Sequence, residues 1–92
     1  MGVYKNGYKL VLIEWEDSQL GYQGWKFIKD EPIEMPRYIS VGFLIYEDNK
    51  CKVLYPHIKN TEDKDELSGS GDIKIPNSAI LKMIELPVTS IS

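Results

Sequence analysis

The stretch YISVGFLIYE, residues 38–47, constrains the fold of this chain more than any other. Ile39, Val41, Phe43 and Ile45 recur at every second position, which is the period of a β-strand with one apolar face and not that of a helix. Gly42 interrupts the run. A glycine in mid-strand weakens a flat sheet but permits a bend or a bulge, and small sheets turn their corners on bent strands. A second strand is expected at YKLVLIEWE, residues 8–16, which is rich in β-branched and aromatic side chains. There Val11, Ile13 and Trp15 share one face, and Tyr8, Leu10 and Leu12 share the other. Both faces are apolar, so this strand is expected to be central or covered on both sides.

EDNK, residues 47–50, has the composition of a turn. CKVLYPHI, residues 51–58, is expected to be a third strand that ends at Pro56 or lies at an edge, because proline cannot donate to a ladder. A short fourth strand is read at residues 72–75.

The segment ILKMIEL, residues 80–86, suits two structures. As a helix, Ile80, Met83 and Ile84 share a face, and Pro76 falls in the first turn. As a strand, Ile80, Ile84 and Leu86 share a face interrupted by Lys82. The rest of the chain decides. Four strands alone leave open edges, which are a liability, and a fifth at 80–86 lets the sheet close, with residues 76–79 as a one-turn 3-10 link. The expected fold is therefore all-β. It is a small five-stranded barrel with a long loop after the first strand and a 3-10 turn before the last, the strand order of SH3-like and Sm-like small barrels.

Ninety-two residues make one domain, read as spanning 1–92. Residues 59–71 form a polar loop expected to be mobile, and 87–92 a C-terminal tail. Residues 17–37 carry Gly21, Gly24, Pro32 and Pro36 without any regular period. Because Trp25, Phe27 and Ile28 are too apolar to stay in water, this long connection is expected to fold back as an ordered flap. Long ordered loops are where binding tends to reside.

Little in the sequence points to bond-breaking chemistry. Cys51 is the one cysteine, so neither an intrachain disulfide nor a cysteine-based zinc site is expected, and a reducing setting fits. No signal peptide is visible, and no apolar run approaches the roughly 20 residues of a membrane span. A cytoplasmic protein with no membrane partner is expected. His57 is the lone histidine. Glu14, Glu16 and Asp17 cluster at the end of the first strand. Glu14 and Glu16 stand about 7 Å apart on one face, a spacing open to glycosidic chemistry, although a solvated strand end is the plainer reading. The acids at 62–66 lack the glycine and the terminal glutamate of an EF-hand loop, and SGSG at 68–71 lacks the lysine of a phosphate-binding loop. The chain is read as not an enzyme, with no cofactor and no metal.

Ten aromatics are a generous supply for this length. Trp15 and Phe43 are assigned to the core, while Tyr22, Trp25 and Tyr46 are expected to be exposed. A ligand site is expected around Trp15, Asp17, Trp25, Tyr46 and His57. The net charge of −3 and the scattered lysines argue against nucleic acid as the main partner. An Sm-like oligomer that binds RNA or DNA is the alternative. Open strand edges favour a homo-oligomer.

WEDS (15–18), Trp25, SVGFLIYED (40–48), YPHI (55–58) and SGDIKIPNSAILKMIEL (70–86) occur in this order. The pattern resembles a group of small bacteriophage- and prophage-encoded proteins of uncharacterised function. The resemblance implies a phage accessory protein acting in the cytoplasm of a bacterial host. Accessory proteins of this size block a host defence enzyme, sequester a nucleotide signal or bind nucleic acid, and the resemblance does not choose among these. The acidic balance, the missing catalytic groups and the spare aromatics favour a non-enzymatic binder of a host factor or a small nucleotide-like ligand, in an anti-defence role. The resemblance supplies no catalytic residues.

Overall fold

The computed structural model describes residues 7–17, 27, 29, 35–59 and 63–87. Seven strands follow in chain order: β1 (Lys9–Glu16), β2 (Arg37–Glu47), β3 (Cys51–Tyr55), β4 (His57–Lys59), β5 (Ser68–Ser70), β6 (Ile73–Pro76) and β7 (Ile80–Glu85). Five of them form an antiparallel sheet in the order β6-β3-β2-β1-β7, and β4 pairs with β5 in a separate two-stranded sheet. No α-helix occurs among the described residues, and the fold is all-β. Residues 80–86 thus resolve as the strand. Asn77–Ala79 is a 3-10 turn, at the place expected for the link.

Closure into a barrel does not occur through main-chain pairing. β6 pairs with β3 and β7 with β1, and no ladder joins β6 to β7 among the described residues. Pro76 ends β6 without an N–H to donate. The 3-10 turn follows at once, so the chain rounds the corner before the two strands can run side by side. Pro56 likewise splits the expected third strand into β3 and β4. The expected loop at 59–71 gives way at its end, where Ser68–Ser70 pairs with β4.

The core is Val11, Ile13, Leu44, Leu54 and Ile75, with Trp15, Ile73, Ala79 and Ile80 packed around it. Burying each large aliphatic contributes about 1.5–3 kcal/mol. The contribution of β2 to this core corrects the sequence reading. Its regular apolar set, Ile39, Val41 and Phe43, pairs with Glu14, Leu12 and Leu10, the face of β1 turned away from Val11 and Ile13. Phe43 is therefore not a core residue. Ile39 is 67% exposed and Val41 46%.

The inward face of β2 carries Ser40, Gly42 and Leu44. Val11 lies opposite Gly42 and Ile13 opposite Ser40, so bulky residues of β1 meet small ones of β2. A Cβ on Gly42 would stand 3.1 Å from the Tyr55 carbonyl carbon and oxygen. The glycine thus lets β3 approach closely. The expected bulge falls a few residues later, between Leu44 and Tyr46.

Candidate functional site

Where β1 ends, its ladder with β7 slips by one residue between Glu14 and Trp15. The slip opens a cleft of about 190 Å³ beside the 3-10 turn. Trp15, Pro76, Ala79 and Leu81 give it apolar walls, Met35 closes one side, and Glu16 and Asp17 stand at its edge. Two polar contacts hold the tryptophan wall and the mouth. The Trp15 indole N–H donates to Ser40 Oγ at 3.0 Å, and the Asp17 N–H donates to the Pro36 carbonyl at 3.1 Å. The Trp15 ring also lies against Tyr38, its register partner, with centroids 4.9 Å apart.

The two carboxylates at the mouth differ. Arg37 Nε donates to Glu16 Oε1 at 3.1 Å, so Glu16 already has a cation. The carboxylate of Asp17 makes no hydrogen bond or ion pair with any described residue. The cleft therefore offers an apolar surface, including an indole, beside one carboxylate that has no partner among the described residues. It suits an apolar side chain with a cationic or N–H-bearing neighbour. Its volume falls below the roughly 300–1,000 Å³ of whole-ligand pockets and is of the size of a single side chain. A more open hollow of about 320 Å³ lies between Tyr8, Ile45, Tyr55, Ile58 and Leu67. It is less enclosed, and among the described residues no charged side chain lines it.

Of the five residues expected at one site, the structure brings together Trp15 and Asp17. Trp25, with most of the expected flap, lies outside the described residues. Tyr46 belongs elsewhere. Its hydroxyl donates to Asp48 Oδ2 at 2.8 Å, while Asp48 Oδ1 accepts the N–H groups of Lys50 and Cys51 at 2.7 and 2.9 Å. Those amides, with the Tyr46 hydroxyl, hold the Asp48 carboxyl below its ordinary pKa, and the bonded carboxylate raises that of Tyr46. The same turn is tied to the 3-10 turn: Asn77 Nδ2 donates to the Asp48 carbonyl at 2.9 Å and the Asn77 N–H to the Lys50 carbonyl at 2.8 Å. Tyr46 thus braces a hairpin turn.

His57 is exposed on β4, beside a shallow hollow with Lys59 and Ser70, and none of that lining is shared with the Trp15 cleft. Glu14 and Glu16 share the outer face as expected. Glu14 faces Lys82 across the ladder and Glu16 pairs with Arg37, as on an ordinary charged strand end. Among the described residues no group of three or more His, Cys, Asp or Glu is placed to hold a metal ion. Also among them, no helix is long and apolar enough to cross a membrane.

Met35, Pro76, Ala79 and Leu81 were not legible as site residues. The sequence signal was the 3-10 link itself, which brings residues 76–81 to the end of β1 only once β7 is known to pair there. No family model, no curated protein and no solved structure matches the chain.

Proposed function

We propose that this chain is a non-catalytic binding protein that grips one side chain of a protein partner in the Trp15–Asp17 cleft. The observation that carries this reading is the juxtaposition of an apolar, indole-walled cleft with the Asp17 carboxylate, which has no partner among the described residues. The Asp17 carboxylate at the mouth opposes the phosphates of a nucleotide-like ligand by like-charge repulsion, and the cation beside Glu16 is already engaged by it, so a protein segment is the better occupant. In the proposed setting the protein is a phage accessory factor, the origin that the resemblance of the WEDS-to-IEL pattern implies, and the partner is a protein of the bacterial host. The strand order β7-β1-β2-β3-β6, with a 3-10 turn between β6 and β7, supports an SH3-like arrangement of the sheet.

Capture from a bacterial extract on immobilised wild-type and variant chains, quantified by mass spectrometry, tests the reading. Asp17→Lys and Leu81→Glu are each expected to reduce the captured partner about ten- to hundredfold, the scale of one lost charge-assisted contact. Tyr46→Ala, away from the cleft, is expected to retain it. Equal capture by all four chains would overturn the assignment. So would a nucleotide retained by the wild-type chain and released by Asp17→Lys.

A further inference from the structure

We propose that two copies of this chain pair through the free edge of β7, antiparallel about a two-fold axis at Ile84. The ladder itself shows which edge groups face away from β1. The Leu86 N–H donates to the Leu10 carbonyl at 2.8 Å, and Leu12 lies opposite Ile84 and Glu14 opposite Lys82. In an antiparallel pair, hydrogen-bonded and non-hydrogen-bonded residues alternate. Lys82, Ile84 and Leu86 therefore bond to β1, while the N–H and C=O groups of Met83 and Glu85 point outward from the sheet. An open row of this kind recruits a strand.

The side chains select a second copy as that strand. Among the described residues β7 is an edge of the sheet, with exposed apolar residues, Met83 at 41% and Ile84 at 39%. Across the sheet, Ile84, Leu12 and Val41 form one apolar row on the outer face. A two-fold axis at Ile84 continues that row into its own copy, Ile84 against Ile84, so the same surface is both donor and acceptor of the contact.

The register is restricted in three ways. Centring on Lys82 would set two ammonium groups opposite each other. Beyond the regular stretch 82–86, the slipped register at Leu81 ends one side, and Pro87, with no N–H, ends the other. Centring on Ile84 uses that stretch alone. It pairs Met83 of each copy with Glu85 of the other and leaves no like charges opposed. None of residues 82–86 lines the Trp15 cleft, so the pairing stands apart from the proposed binding there. Five residues per copy fall short of the roughly 1,200–2,000 Å² of a standard interface, so the dimer is a concentration-dependent equilibrium.

Sedimentation equilibrium of the full chain from about 1 µM to 1 mM tests this. The mass is expected to rise from the monomer's 10.6 kDa toward twice that value. Met83→Pro removes an outward N–H and spares the β1 ladder, and Ile84→Lys places two charges at the axis. Either variant, folded by circular dichroism, is expected to stay monomeric; if proline prevents folding, Ile84→Lys decides. A wild-type chain monomeric at 1 mM would overturn the pairing. A dimer unchanged in the folded variants, or a trimer or larger ring, would overturn it equally.

Discussion

Gly42→Val is expected to lower the unfolding free energy by about 2–3 kcal/mol, the upper part of the range for overpacking a tight site. The cause is space and not backbone conformation. The first added carbon would sit 3.1 Å from the Tyr55 carbonyl group and 3.2 Å from Leu54 Cβ. The first of these neighbours is main chain and cannot rotate away. Two further methyls would push β2 and β3 apart beside the 1%-exposed Leu54. For a domain of this size, each kcal/mol moves the melting temperature by about 4–8 °C, so thermal unfolding should occur roughly 10–20 °C earlier. An unchanged melting temperature would mean that β2 and β3 do not meet at this point.

Ile13→Ala is expected to cost more, about 3–4 kcal/mol, from lost transfer energy and the cavity left behind. Ile13 has no exposed surface, and the structure places it between Ser40 on β2 and Met83 on β7. A 92-residue domain has about 5–14 kcal/mol in total, so about a fifth or more of its stability would go. Ile39→Ala, at 67% exposure on the opposite face, should stay within about 0.5 kcal/mol. Chemical denaturation of the two variants side by side checks the sidedness of the sheet. Equal losses, or a larger loss at Ile39, would mean that the faces have been exchanged.

That sidedness marks the limit of what the sequence discloses. Period-2 alternation at 38–47 identifies a strand, but it cannot say which face is inside. The alternating set Ile39, Val41 and Phe43 looks like the core face, yet Gly42 and Ser40 are the residues that accommodate Val11 and Ile13. A small residue opposite a large one is invisible until the register is known. Strand positions were legible because Pro56, the EDNK turn and the 3-10 link interrupt the apolar runs. The strand at 80–86 was legible only from the needs of the other four, since its own pattern suits a helix as well.

In the site, Trp15 and Asp17 were legible because they adjoin in sequence at a strand end. Tyr46 is exposed as expected but does not line this cleft, and its hydroxyl bonds Asp48 two residues away. Pro76, Ala79 and Leu81 are remote in sequence from Trp15, and only the pairing of β7 with β1 brings them there.

Amide hydrogen exchange along residues 80–86, read by NMR in dilute solution, tests the arrangement of β7 most directly. The extended strand paired on one edge predicts alternation: slow exchange at Lys82, Ile84 and Leu86, whose N–H groups face β1, and fast exchange at Met83 and Glu85. Protection of consecutive amides through this segment, with strong contacts between successive N–H protons, would instead show it coiled and would contradict the sheet described above.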